Sequence, residues 1–489
     1  MNTSIIRYIL GHIIKLEGFF MLLPCVIAII INEKELFTYL AIAVLCILLG
    51  SLLTFKKAKD NVFYLKEGCI CTSLSWILLS FFGALPFVLT GEIPHFTNAM
   101  FETVSGFTTT GASILSDVES LSHTSLFWRS FTHWIGGMGV LVFLLAIVPL
   151  SGGSNMNLMR AESPGPSVGK LVPKMRYTAR ILYIIYFVLT VIELIALLIA
   201  KMPWFDALCI SVGTAGTGGF GILNSSIGSY SIAVQWIVTI FMILFAINFN
   251  AYYLILFGQI KNAFKMEEVR VFLSVVLVAI AVITFDISNM YDSLFEAITD
   301  SAFQVASIVS STGFATTDFD LWPGLSKTIL VLLMFMGACA GSTGGGIKVS
   351  RFVLAAKSIK KELHSYIHPK AVKQIVMDDK EVDYGTVRSV FIYFVTFVII
   401  FVVSILIIAL EEKDLVTNFT SVATTLNNIG PGLSMVGPTQ NFGHFTLLSK
   451  SVFIFDMLAG RLELFPLLIL FHPSIWHDLI IRPVRKNFR

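Results

Sequence analysis

Four polar stretches, each built around a glycine, interrupt an otherwise apolar sequence: FTTTGAS (107–113), GTAGTGGFG (213–221), VSSTGFATT (309–317) and TLNNIGPGL (425–433). Superposed on Gly111, Gly218, Gly313 and Gly430, they share a small polar residue or Asn, then Thr or Ile, then Gly. The chemistry open to such stretches is coordination of a bare cation. An ion entering a narrow passage loses its water, and oxygen ligands must take the water's place. Backbone carbonyls can do so where glycine supplies the unusual dihedrals that aim them inward. The candidate ion-lining triplets are therefore Thr109-Thr110-Gly111, Gly216-Thr217-Gly218, Ser311-Thr312-Gly313 and Asn428-Ile429-Gly430. None holds a carboxylate, so selectivity is expected from neutral dipoles and not from an acidic ring. The fourth has Ile429 where others have Thr, and Pro431 directly after its glycine, so its conformation is expected to diverge.

The elements that must position these triplets are legible in the hydropathy. The chain has 489 residues, 56% hydrophobic and 13% charged, with a mean hydropathy of +0.82, against about 25% charge in soluble chains. Ten stretches near the spanning length run at about 5–31, 36–55, 68–90, 126–150, 179–200, 230–258, 269–287, 326–346, 388–410 and 446–471. Between later pairs lie shorter runs near 97–107, 204–214, 294–310 and 416–427, each leading into a glycine stretch. They are too short to cross and read as re-entrant half-helices, whose negative C-terminal ends would favour a cation. The expected fold is an all-α integral membrane protein. Two N-terminal helices (1–60) precede four membrane-pore-membrane repeats (61–160, 161–262, 263–365 and 366–489) around a pseudo-fourfold pore.

Lys and Arg crowd the 56–67 loop (including Lys59), the 160–180 loop (including Arg160, Lys170 and Lys174), the 261–270 loop, segment 348–388 and the tail (Arg482, Arg485, Lys486, Arg489). The positive-inside rule makes these cytoplasmic and places both termini there. All four glycine stretches then enter from the opposite face.

Two further features point to control of the pathway. Four glycines in six residues, Gly341-Ser342-Thr343-Gly344-Gly345-Gly346, should unwind the eighth span on the cytoplasmic side of the triplets. Arg461 falls near the middle of the last span, where a charge costs at least about 2.5 kcal/mol. It is expected to face the aqueous pathway and oppose cations. Gly216 to Gly221 satisfies GxGxxG without a strand before it, and Ile347 separates Gly346 from Lys348, so neither is expected to bind nucleotide. The six cysteines read as packing residues, and the lone histidines, such as His12, His133 and His444, form no metal or catalytic set. The net charge of +3 carries no basic block suited to nucleic acid.

With GSTGGGIK (341–348), GRLE (460–463), AESPGP (161–166) and the four glycine stretches in this order, the chain resembles the TrkH family of bacterial potassium-uptake proteins, grouped with the Ktr and plant HKT transporters. The two extra N-terminal spans favour TrkH over the shorter Ktr subunit. The resemblance implies potassium as the permeant ion, with no organic cofactor on this chain, and a gating role for 341–346. It also implies an inner-membrane location, a homodimer, and a TrkA-type cytoplasmic ring that binds the nucleotide. A sodium- or proton-coupled potassium symporter is the alternative, with Glu193 and Asp456 as the obvious intramembrane carboxylates outside the last motif. An enzyme acting on a membrane lipid is disfavoured, because the acidic loops form no catalytic cluster.

Overall fold

The computed structural model describes residues 2–57, 64–139, 175–371 and 373–475. Lys59, Arg160, Lys170, Lys174, the tail cations, AESPGP and the second half of the fourth span lie outside the described residues.

Among the described residues the regular structure is helical except for one small hairpin. Helices α1 (Thr3–Phe20) and α2 (Leu22–Ile31) together form a 29-residue apolar span, and α3 (Leu36–Thr54) returns beside α1. A Cβ on Gly50 would lie 2.6 Å from the Gly11 carbonyl oxygen. Small residues thus let the two backbones touch, which matters where lipid supplies no hydrophobic drive between helices.

The first unit comprises α4 (Leu65–Thr90), α5 (Phe96–Phe107) and α6 (His123–Gly137). The second comprises α7 (Met175–Ile199), α8 (Trp204–Gly216), α9 (Ile232–Ala246) and α10 (Phe249–Leu256), followed by the short α11 (Ile260–Lys265). The third contains α12 (Glu267–Ile287), α13 (Leu294–Val309) and α14 (Gly324–Met336). After it come α15 (Val349–Ile367) and an antiparallel hairpin of β1 (Val376–Met377) and β2 (Lys380–Glu381). Asp378 and Asp379 have φ of 52° and 59°, the geometry a two-residue hairpin loop requires. The fourth unit comprises α16 (Tyr384–Ile408), α17 (Leu415–Leu426), α18 (Leu447–Arg461) and α19 (Phe465–Leu468).

Six described helices are long and apolar enough to cross a membrane, and the bent pair α9 and α10 makes a seventh. In the α16 span only 22% of the apolar window is buried. An apolar surface of that extent needs lipid around it.

The closing helices of the units depart from the spans expected at 230–258, 326–346 (with its break from 341) and 446–471. Helices α9 and α10 meet at 91°, because Asn248 caps a new helix, its side chain accepting from the Asn250 N–H at 2.9 Å. Helix α14 ends at Gly337 (φ 67°, ψ −165°), several residues before the expected break at 341. That backbone region is essentially reserved for glycine. Helix α18 ends before Glu463 and Leu464, whose φ values are 54° and 69°.

Candidate functional site: a four-cornered glycine ring

Each unit has a half-helix that stops in a polar loop: α5 at Phe107, α8 at Gly216, α13 at Val309 and α17 at Leu426. Local capping starts two of them, with Ser293 accepting from the Phe295 N–H at 3.2 Å and Asp414 from the Thr417 N–H at 2.9 Å. Past each helix end, one residue turns left-handed: Thr109 (φ 56°), Thr217 (53°), Ser311 (59°) and Asn428 (55°). The next residue's N–H returns to the half-helix, Thr110 to Ser105 O (2.9 Å), Gly218 to Gly213 O (3.0 Å), Thr312 to Ser307 O (2.8 Å) and Ile429 to Thr424 O (2.9 Å). The residue after that is left-handed again: Gly111 (78°), Gly219 (74°), Gly313 (88°) and Gly430 (100°).

This periodicity corrects the register of the second unit. The triplet equivalent to the others is Thr217-Gly218-Gly219, not Gly216-Thr217-Gly218. Gly216 is still helical, and the chain turns one residue later. The fourth unit keeps the common backbone pattern despite Ile429 and Pro431, and the expected divergence is limited to a wider φ at Gly430, 100° against 74–88° in the other three. Ile429 turns its side chain into the apolar cluster with Val309 and Leu333, where a hydroxyl is unnecessary.

The four triplets close a ring in chain order. A Cβ on Gly111 would lie 2.0 Å from the Gly218 carbonyl oxygen, on Gly219 1.9 Å from Thr312 O, on Gly313 2.2 Å from Ile429 O, and on Gly430 2.8 Å from Thr110 O. Each glycine Cα thus abuts the middle carbonyl of the next unit, so all four loops surround one axis. The side chains are buried and braced around this ring. Thr108 and Thr110 hydroxyls pair at 2.8 Å, those of Ser310 and Thr312 at 2.6 Å, and Asn428 donates to the Thr110 hydroxyl (3.0 Å) and to Met457 O (2.8 Å).

Behind the first two corners stands a charged support not recognised in the sequence. Glu102 on α5 and Arg129 on α6, 0% and 2% exposed, form an ion pair at 2.7 Å. Glu102 also accepts from Ser113 (2.9 Å) and the Ile114 N–H (3.0 Å), while Arg129 stacks over Phe220 at 4.1 Å and donates to Gly221 O (3.3 Å). Two charges buried in apolar surroundings must be paired, and that was the signal available. His133, expected to be structural, ties the end of α5 to the loop after α8. Its Nδ1 lies 2.8 Å from Gly106 O and its Nε2 accepts from the Phe220 N–H at 3.2 Å, a pattern that only the neutral Nδ1–H tautomer satisfies.

On the side where the half-helices end, the stretch after α14 lies against the ring. The Gly346 N–H donates to Asn427 O (2.9 Å), Gly345 donates to the Ser311 hydroxyl, and a Cβ on Gly344 would sit 2.7 Å from Ser310 O. The same stretch is tied to the second unit through Cys339 N–H to Ala246 O (3.0 Å), Thr343 hydroxyl to Phe245 O (3.1 Å) and Phe249 N–H to Gly341 O (3.0 Å). The Ser342 hydroxyl bonds Cys339 O at 2.6 Å. Lys348 folds back to donate to Gly344 O. Arg461, at the end of α18, donates to Thr343 O and Gly137 O, both at 2.8 Å, and to Gly136 O. One guanidinium thereby joins the fourth unit to the first and third. Glu463 of the same GRLE motif takes a different partner, the buried Arg351, which stacks on Tyr393 at 4.0 Å.

All six cysteines are unpaired and buried. No group of His, Cys, Asp and Glu suited to a metal occurs among the described residues.

Comparison with known proteins supplies the family. A family model described as "TrkH: Cation transport protein" matches residues 36–478. The chain is 36% identical over 486 residues to the Trk system potassium uptake protein TrkH of Salmonella typhimurium, covering 98% of this chain and 100% of that protein. It is 35% identical over 489 residues to the Trk system potassium uptake protein TrkG of Escherichia coli, covering 98% and 100%. The crystal structure of the potassium transporter TrkH from Vibrio parahaemolyticus superposes with a TM-score of 0.87 at 32% identity, covering 97% of this chain and 100% of that one. These are transport proteins and not enzymes. By sequence and by fold, the chain belongs to the TrkH family of cation transport proteins.

Proposed function

We propose that this protein is a gated pathway for potassium uptake across the inner membrane, with the ring carbonyls of 109–111, 217–219, 311–313 and 428–430 as its filter. The observation that carries the reading is the closed ring, in which each glycine touches the next unit's carbonyl. Such a ring offers a dehydrated cation neutral oxygen ligands from four directions. Four half-helix C-termini lead into it, adding roughly half a negative charge each. The related proteins' description as potassium uptake systems supports potassium as the ion.

Stretch 341–346 and Arg461 form the gate in this reading. They lie on one face of the ring and put a positive charge where a departing cation would pass. That face is cytoplasmic, as are both termini, by the basic loops. The exposed helix α15 and its hairpin then offer a docking surface for a nucleotide-binding ring of TrkA type, and the functional unit is a homodimer. Passive conduction is favoured over coupled symport by the scatter of the buried carboxylates. Glu67, Glu102 and Glu268 are tied to backbone N–H groups, and the others among the described residues, Glu17, Glu193 and Asp456, lie beside Gly83, Thr214 and Ser404, on three different helices.

Radioactive rubidium uptake into vesicles holding only the purified protein, driven by an internal potassium load, tests the reading. Uptake without a sodium or pH gradient, lost in Gly111→Ser, is the expected result. Uptake that requires either gradient would favour the symporter, and none at all would refute conduction.

A further inference from the structure

We propose that Glu268 is a positioning residue that latches the gating stretch shut, an inference that rests on the gate reading above. Glu268 lies in the first turn of α12 and is 3% exposed. A carboxylate there gains from the helix N-terminus. Its bonding is what sets it apart. One oxygen, Oε1, accepts from the backbone N–H of Ala340 at 2.7 Å and from that of Ser350 at 3.0 Å. Those two residues bracket the glycine stretch, Ala340 immediately before Gly341 and Ser350 in the first turn of α15. A single atom therefore draws both ends of the loop together, as a knot closes a noose. The second oxygen, Oε2, takes the Asn248 amide at 3.4 Å, at the bend where α9 gives way to α10. Asn248 in turn sits against Gly341, whose Cβ would lie 3.3 Å from its Oδ1.

A latch needs a fixed post, and the same turn of α12 supplies one. Glu267 pairs with Lys357 of α15, and the Glu267 N–H donates to Asp378 in the turn of the hairpin at 2.7 Å. Lys357 also donates to Val376 O. The turn is thus held from outside by the charged segment and holds the gate from inside. Neither residue touches the ring, so the latch sets how often the pathway opens and not which ion passes.

Rubidium uptake by the purified full-length protein in vesicles, paired with labelling by a water-soluble thiol reagent, reads both consequences. Cys339 adjoins Ala340 and is 0% exposed, so a released loop exposes it. Glu268→Ala is expected to raise uptake at least about fivefold, the lower end of coupling between linked elements. It should also make Cys339 labelled, confirmed by its loss in a Cys339→Ser background, with the rubidium-over-sodium preference unchanged. Glu268→Gln keeps an oxygen able to accept both N–H groups and should stay close to wild type in both readouts. Wild-type uptake in Glu268→Ala, equal behaviour of the two variants, or an altered ion preference would each overturn the latch. If Glu268→Ala is not monodisperse on gel filtration, Glu268→Asp takes its place. Its carboxylate, withdrawn by one methylene, should act in the same direction. Deletion of 341–346 separates the two readings. Raised uptake there with no effect of Glu268→Ala sinks the latch alone, whereas no change on deletion sinks the gate and the latch with it.

Discussion

Alanine at Gly219 tests the corrected register most directly. Its φ of 74° places alanine in the left-handed region, at a cost of roughly 1–2 kcal/mol. The added Cβ would lie 1.9 Å from Thr312 O, 2.8 Å from its carbon and 2.9 Å from the Gly313 carbon. Ordinary contact begins at 3.4 Å, so the Thr312 carbonyl must retreat by about 1.5 Å, and crowding of this kind costs about 1–3 kcal/mol. The fold can absorb such a sum, but one carbonyl has then left its place in the ring. If that oxygen contributed even ~1.4 kcal/mol to choosing between cations, the preference falls about tenfold. Rubidium uptake into vesicles with and without competing sodium measures this. Gly218→Ala is the control, because its Cβ meets the His133 ring at 2.0 Å, not a ring carbonyl. His133→Ala should therefore restore part of the Gly218→Ala loss and none of the Gly219→Ala loss, since backbone cannot move aside as a side chain can. A Gly219→Ala protein with wild-type rate and cation preference would refute the register and the carbonyl filter together.

Arg461→Ala releases the carbonyls of Thr343, Gly136 and Gly137 and should raise resting rubidium uptake; unchanged uptake by folded protein removes Arg461 from the gate. Glu102→Gln strands a buried guanidinium and should cost about 3–5 kcal/mol, seen as a lower thermal midpoint, with Glu102→Leu/Arg129→Met recovering much of it. Asp414→Ala removes the N-terminal cap of α17 and should cost ~1 kcal/mol in the same assay. The Thr417 hydroxyl holds the Asp414 carboxyl below its usual range, against a smaller upward push from partial burial and with help from the Thr417 N–H and Ser434. A depressed carboxyl stabilises fully above its unfolded pKa of about 4 and loses that contribution as pH falls through the lower folded value. The gap between wild type and Asp414→Ala should accordingly be constant near neutrality and close in acid; a gap that widens in acid contradicts the cap.

The half-helices were legible because each ends where apolar sequence gives way to Thr, Ser or Asn and glycine, which few other structures explain at membrane depth. The register of the second was not, since GTAGTGG offers two frames and the Thr-Gly match selected the wrong one. Only the position of the left-handed turn, set by how far α8 continues, decides between Gly218 and Gly219. The break near 341 was visible through its glycines, while those at Asn248 and at Glu463–Leu464 carry no glycine and depend on capping and on partners in other units. Glu268 and Ser350 are 82 positions apart in sequence, and a loop's oxygen acceptor at that distance has no local signature. Glu102 and Arg129 carry the same signature as Arg461, a charge in an apolar stretch that must find a partner, but that partner lies on another helix.

Because the four corners are written in separate stretches of one polypeptide, an inherited change is made in one corner and felt at most by the neighbour it abuts, not repeated in all four. An assembly of four identical subunits has no such freedom, since each of its changes is quadrupled. Ile429, seated in hydrocarbon where Thr110 and Thr312 have hydroxyl partners, is an instance of that latitude. The ring can therefore vary a quadrant at a time, each position answering to its own neighbours.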